Sequence, residues 1–221
     1  MKGHFDMKNP LILIGDSGHA KVIEHIATRS GWDVIAKLDD RHEVVKINKL
    51  GHILGPMSLL YELLEKHENV KVFIAIGANR VRELVFNKLC LSHDYYATII
   101  DPSAVISTDI EIGNGTCIMP NSVINPASNI GNQVIINTRA VVEHDNVIED
   151  FVHISPGCVL TGNVKVEAGC HIGAGATLIP GVQIGTWAIV GAGSTVIRNV
   201  ENDVTVVGSP SRVLANVNGG R

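Results

Sequence analysis

The period of the hydrophobic positions changes near residue 100. From Ile106 an aliphatic residue returns every six positions: Ile112, Ile118, Ile124, Ile130, Ile136, Val142, Ile148, Ile154, Leu160, Val166, Ile172, Leu178, Ile184, Val190 and Val196. The run never slips. Two positions before each aliphatic the residue is mostly small or β-branched, as at Ala104, Thr116, Ser122, Ser128, Ala140, Cys158 and Ala176; Ile110 and Asn146 are larger exceptions. Glycine often follows, at Gly113, Gly131, Gly173, Gly185 and Gly191. A helix repeats at about 3.6 residues and a strand at about 2. A period of six with turn residues inside it means a short strand and a corner, repeated. Three such units close a triangular coil, and stacked coils bury the aliphatic column in one continuous core. The pattern predicts a parallel β-helix over 101–221. A β-sandwich with regular turns would not keep register over so long a run.

Residues 1–100 read differently. "LILIG" (11–15) is a buried strand, and 18–29 carry Ala20, Ile23, Ile26 and Ala27 at helical spacing. "DVIAKLDD" is a second strand ending in two acids, "MSLLYELLEKHE" a helix, and "VKVFIAIG" a third strand. "NRVRELVFNKLCLSH" is a helix with Asn79 as its N-cap, and "YATII" a last strand before Asp101-Pro102-Ser103 marks the boundary. Alternating strands and helices predict a small Rossmann-like parallel sheet with helices on both faces.

Composition narrows the function classes. The 221 residues carry a net charge of -4, which gives no electrostatic reason to expect nucleic acid. No apolar stretch is long enough to span a bilayer, and "MKGHFDMKNP" has no signal-peptide core, so the expected location is the cytoplasm. The four cysteines, Cys90, Cys117, Cys158 and Cys170, form no C-x-x-C pair and read as reduced structural thiols.

The turn after the first strand, Gly15-Asp16-Ser17-Gly18-His19, enters a helix and offers backbone N–H groups to phosphate or sugar oxygens. It is not the dinucleotide fingerprint G-x-G-x-x-G, because Ser17 and Ala20 stand at the second and third glycine positions. A nicotinamide dehydrogenase is therefore disfavoured. Asp39 and Asp40 end the second strand and Gly77 the third. Ligands of open α/β sheets bind at the carboxyl ends of strands, so these residues form a candidate ligand site.

The stretch "VVEHDNVIEDFVH" (141–153) places His144 beside Asp145 and His153 nine residues after His144. Strand side chains alternate, so His153, just before Ile154, points out of the coil. His144 lies in a corner and projects as well. His171, just before Ile172, falls one coil above His153, roughly 5 Å away. The outward column also carries Val141, Val147, Val159 and Ile189, an apolar surface that calls for self-association. Metal binding is disfavoured, since the H-x-x-x-x-H pair of β-helical zinc carbonic anhydrases is absent.

Taken together, "GDSGH", "LDD", "AIGANR", "IINTRAVVEHD", "VHISPG", "TGNV", the hexapeptides and "VGSPSR" resemble one family over nearly the whole chain. It is that of the bacterial nucleotide-sugar N-acetyltransferases and sialic acid O-acetyltransferase-like proteins, which includes bacillosamine-pathway and perosamine enzymes. The resemblance implies a left-handed β-helix, a homotrimer with active sites between subunits, and acetyl-CoA as co-substrate with no metal. It implies His144 as general base and Asp145 as the acid that orients it. It places His153 near the thioester, Gly162 as a backbone donor near its carbonyl, and Gly173, Ala174 and Ala192 along the pantetheine groove. Ser17, Gly18, His19, Asp39, Asp40 and Gly77 match the nucleotide-sugar site, and Asn137 is expected near the base. His171 matches no family position.

These residue types suit amide formation. An amine is mostly protonated at neutral pH, and a neutral imidazole can take its proton. A carboxylate on the other ring nitrogen fixes the tautomer. The expected activity is N-acetylation of a nucleotide-linked 4-amino-4,6-dideoxy sugar for surface glycans. The rivals are O-acetylation of sialic acid or a related sugar, and a non-catalytic nucleotide-sugar-binding trimer.

Overall fold

A computed structural model of the protein describes residues 9–214. Most of "MKGHFDMKNP" and the end of the C-terminal tail lie outside the described residues. The chain divides into two units, Met1–Pro102 and Ser103–Arg221.

In the first unit β1 (Asn9–Ile14), α1 (Gly18–Arg29), β2 (Trp32–Leu38), β3 (Lys46–Ile47), β4 (Ile53–Gly55), α2 (Leu60–Lys66), β5 (Lys71–Ile74) and α3 (Asn79–Leu89) follow in order. The sheet order is β3-β4-β2-β1-β5, parallel except for β3. The hairpin-like β3–β4 pair is an element that the sequence pattern did not announce. Ile12 and Ile14 cluster with Leu60 and Leu63 of α2 and Leu89 of α3. Leu11 and Leu13 alternate to the other face and are equally buried. That requires cover on both sides, and α1, which buries Ala20, Ile23, Ile26 and Ala27, packs on β2. Two expectations need correction. The N-cap of α3 is Ala78; Asn79 is the first helical residue, and its Oδ1 accepts a bond from Arg82 Nη2. "YATII" does not join this sheet as a full strand. Tyr96 makes a single bridge to Val72, and Ile99–Ile100 is a two-residue strand.

In the second unit every strand is short, and those from Val105 to Val196 pair in parallel with the strand eighteen residues away: Val123 with Val141, Asn129 with Val147, Ile135 with His153. Three stacks result. The first runs through Val105–Ile106, Val123–Ile124, Val141–Val142, Val159–Leu160, Thr177–Leu178 and Thr195–Val196. The second runs from Glu111–Ile112 to Gln183–Ile184, and the third passes through Ile135–Ile136, His153–Ile154, His171–Ile172 and Ile189–Val190. The aliphatic column from Ile118 to Val196 lies at the centre of the coils and is buried. Backbone bonds join successive coils, for example Val141 N–H to Cys158 O at 2.8 Å. Coils this close leave no room for a Cβ at some corners. One on Gly173 would lie 2.5 Å from Ala192 N, so coil stacking itself demands glycine there. The small positions are buried because they fill the corners. There the thiols of Cys158 and Cys170 reach the carbonyls of Gly173 and Gly185. Burial pushes these thiols up, to about 11 and about 12, which keeps them protonated and inert.

Candidate functional site

The corner between Val141–Val142 and Val147–Ile148 presents His144 and Asp145. Asp145 adopts φ +60°, a left-handed turn that swings its carboxylate back beside the preceding side chain. His144 Nδ1 lies 2.6 Å from Asp145 Oδ2. Both side chains are more than half exposed, at 62% and 57%. An exposed pair contributes about 0–1 kcal/mol to stability, so its chief consequence is orientation. With Nδ1 donating to the acid, Nε2 keeps a lone pair for an incoming proton.

Gly162 sits one coil above His144. A Cβ built there would lie 2.5 Å from His144 Cε1 and 2.7 Å from Nε2, so the imidazole rests directly against the glycine backbone. The Gly162 N–H makes no hydrogen bond among the described residues. A backbone donor left unpaired in this way is suited to receive an oxyanion. The N–H groups of Ala174 and Ala192 are likewise without an acceptor among the described residues, at the corner between the third and first stacks.

His153 keeps the outward parity of its strand, yet the residue is only 9% exposed. Asn137 Oδ1 accepts the Thr138 N–H at 2.8 Å, which turns its Nδ2 toward His153 Nε2 at 3.0 Å. In that contact Nε2 is the acceptor, and a neutral ring then carries its proton on Nδ1. The same pairing locates Asn137. It lies beside His153 at the corner after Ile135–Ile136, not at the corner of His144 in the same chain. His171 stacks edge-on over His153 with ring centres 4.9 Å apart, and its Nε2 lies 3.3 Å from Ser155 Oγ.

In the first unit the turn after β1 lies where the connection order reverses: the chain moves from β1 to β2 on one side and later to β5 on the other. Gly15 has φ +105°, and a Cβ there would meet Ala75 O at 3.2 Å. Ser17 is the N-cap of α1, but its hydroxyl caps nothing, so the N–H groups of the first turn face outward uncapped. Gly18 has open space around it, and Gly77 lies beside His19.

Asp39 is already engaged within the chain. Its carboxylate accepts the Asp16 N–H (3.0 Å), the Arg41 N–H (3.1 Å), and Arg41 Nε and Nη2 (2.9 and 2.7 Å). The bonds from Arg41 hold the carboxyl well below the usual range. Asp39 thus shapes the turn. Asp40, more exposed, accepts the Met57 N–H through Oδ1 at 2.9 Å and keeps Oδ2 outward, 3.9 Å from Lys88 Nζ.

Two residues escaped the sequence reading. One is Arg41. The other is Arg82, 1% exposed, which donates to the carbonyls of Ile76 and Gly77 at 3.0 and 3.2 Å. Its position on the buried face of α3, three residues after Asn79 and seven before Leu89, was the available signal. Burial lowers it to about 9, still charged at neutral pH. Burial first, and then the Arg82 charge, lower His19 to about 4. His19 Nε2 is shielded and has no hydrogen-bond partner among the described residues. It is therefore a neutral group awaiting a polar contact. Because the folded value lies below the ordinary 6.5, the unfolded chain binds this proton more readily, and stability falls as pH drops from about 6.5 toward 4. The loss is on the order of 3 kcal/mol, and His19→Gln should flatten this part of a urea-denaturation series against pH. An acid limb unchanged by the substitution would place the titrating group elsewhere.

Among the described residues no group of His, Cys, Asp and Glu could hold a metal ion, and no helix is long and apolar enough to cross a membrane.

Residues 10–89 match the PglD N-terminal domain, and residues 163–198 match the bacterial transferase hexapeptide repeat. A curated relative, the UDP-N-acetylbacillosamine N-acetyltransferase of Bacillus subtilis (strain 168), is 43% identical over 113 residues. That match covers 51% of each chain, so the chain spans about half the length of the curated relative it matches. Solved structures align far more fully. A perosamine N-acetyltransferase variant from Caulobacter crescentus, in complex with CoA and GDP-perosamine, is 33% identical with a TM-score of 0.87, covering 94% of this chain and 97% of that one. The acetyltransferase domain of PglB from Neisseria gonorrhoeae FA1090, in complex with acetyl coenzyme A, is 31% identical with a TM-score of 0.84, covering 94% and 100%. With such identity across nearly the full length of both chains, this protein belongs to the family of hexapeptide-repeat sugar N-acetyltransferases.

Proposed function

We propose that the protein transfers the acetyl group of acetyl-CoA to the amine of a nucleotide-linked 4-amino-4,6-dideoxy sugar, as a step in bacterial surface glycan synthesis. The observation that carries this reading is the His144–Asp145 pair, its imidazole held against a glycine whose N–H is unpaired. The perosamine N-acetyltransferase, with CoA and GDP-perosamine bound, supports the substrate class.

In this reading His144 Nε2 takes a proton from the attacking sugar amine as its nitrogen bonds to the thioester carbonyl carbon. The Gly162 N–H steadies the oxygen that gains charge, a contribution of about 3 kcal/mol for one such donor. The C–S bond breaks, and the imidazolium returns its proton to the departing thiolate. Asp145 keeps the ring in the reactive tautomer. His153, locked by Asn137, sits beside the thioester. Ser17, Gly18, His19, Asp40 and Gly77 receive the nucleotide sugar, with Asp39 acting through the shape of the turn.

The corners favour a homotrimer. His144 and Gly162 occupy the corner between the first and second stacks, whereas Gly173, Ala174 and Ala192 occupy the one between the third and first. Different corners of one triangular coil cannot line one groove. A base from one copy can face the pantetheine groove of the next, and the exposed Val105 and Ile189, with the half-buried Val141 and Val159, supply apolar surface for that contact.

The test is an acetyl-transfer assay of purified protein with acetyl-CoA and a panel of amino- and hydroxy-sugar nucleotides, alongside light scattering. Turnover confined to 4-amino sugar nucleotides by a trimer is expected. Turnover of hydroxyl acceptors alone would establish an O-acetyltransferase, absence of any turnover with retained nucleotide-sugar binding would leave a binding trimer, and a stable monomer would sink the shared site.

A further inference from the structure

Asn146 is the one amide among the otherwise small or aliphatic residues that stand two positions before the core column from Ile106 to Val196. It is fully buried. Five of these positions elsewhere in the β-helix hold a short donor that reaches a carbonyl fifteen residues on: Thr116 to Gly131, Ser122 to Asn137, Ser128 to Glu143, Cys158 to Gly173 and Cys170 to Gly185. Asn146 makes the same contact, Nδ2 to Thr161 O at 3.0 Å, and then does more. Its Nδ2 also reaches back to the carbonyls of Glu143 (2.5 Å) and His144 (3.4 Å), while its Oδ1 accepts the Val164 N–H at 3.1 Å.

These partners enclose the candidate base. Glu143 and His144 form the start of the corner that presents the imidazole. Thr161 immediately precedes Gly162, on which that imidazole rests. The His144 carbonyl is held a second time, by the Asn163 N–H at 2.9 Å. One buried side chain therefore ties the corner of His144 to the corner of Gly162.

We propose that Asn146 is a positioning residue for His144, a buried clamp that fixes the height and tilt of the base over Gly162. The proposal rests on the reading of His144 as general base. A base displaced by about 1 Å can lose on the order of 100-fold in rate, so a clamp behind it matters without touching substrate.

Internal precedent supplies the variants. Valine stands at the equivalent positions 134, 152, 164 and 182, and cysteine at 158 and 170, so both side chains fit such sites. Asn146→Val removes every side-chain bond, and Asn146→Cys keeps only the reach to Thr161. Expected for Asn146→Val is a kcat on the true acceptor lowered at least about 10-fold with the acetyl-CoA KM unchanged. Asn146→Cys should fall in between. In a His144→Ala background, Asn146→Val should cost nothing further, because the clamp acts only through the imidazole. Should Asn146→Val fail to fold, the same two comparisons with Asn146→Cys decide. Near-normal kcat in the variant that folds overturns the proposal, as does an equal further loss without His144, which would mark a general packing role. Full activity of His144→Ala alone would instead remove the base reading and the clamp with it, so the two failures are distinguishable.

Discussion

His144→Ala should lower kcat on the true acceptor by at least about 100-fold, the low end of what a positioned general base contributes. The ring is more than half exposed and packs no core, so the melting temperature should barely move. The acetyl-CoA KM should also hold, since the base meets the amine and not the pantetheine arm. Asp145→Asn should cost less. The amide can still approach Nδ1, 2.6 Å away in the native pair, but carries no charge to stabilise the imidazolium. A His144→Ala variant that keeps native kcat would show that the pair is surface decoration and move the search to His153.

Gly162→Ala should come close to the same loss while leaving His144 in place. Gly162 does not have a left-handed φ, so alanine can adopt its backbone. The added Cβ would stand 2.5 Å from His144 Cε1 and 2.7 Å from Nε2, inside contact distance. Its neighbour is an exposed side chain rather than backbone, so the imidazole yields by swinging outward and parts from Asp145. The residue keeps its N–H, so the oxyanion donor survives and only the position of the base changes. A kcat reduced by about 10- to 100-fold with stability within about 0.5 kcal/mol is expected. Equal loss of stability and activity would show instead that the corner collapses. Native kcat would mean that the observed seat of the ring over Gly162 has no part in turnover.

The β-helix was legible because its core is one-dimensional. Each coil contacts only its neighbours, so a period of six in the aliphatics is also the period of the structure, and the pairing of Val123 with Val141 could be counted off. Three of the five strands of the Rossmann-like unit, its helices, and the glycine turn after β1 were likewise local signals. The His144–Asp145 pair was visible because the residues are adjacent in sequence, one turn apart from nothing else.

Other features were decided only by tertiary structure. His153 obeys strand alternation, yet its surroundings bury it, and burial depends on what lies across from a residue rather than on its own parity. Asn137 was expected near the base through the resemblance alone, and within one chain the coil carries it to another corner, beside His153. Asp39 and Asp40 read as an equivalent pair. Arg41 and the Asp16 amide claim one of them, and Met57 engages the other on one oxygen alone. The sequence by itself determined the two architectures, the core columns and the identity of the candidate base. The partners of Asn137, His153 and Asp40 were fixed only when successive coils, and strand ends far apart in sequence, came within about 3 Å, the range over which hydrogen bonds select one geometry from many.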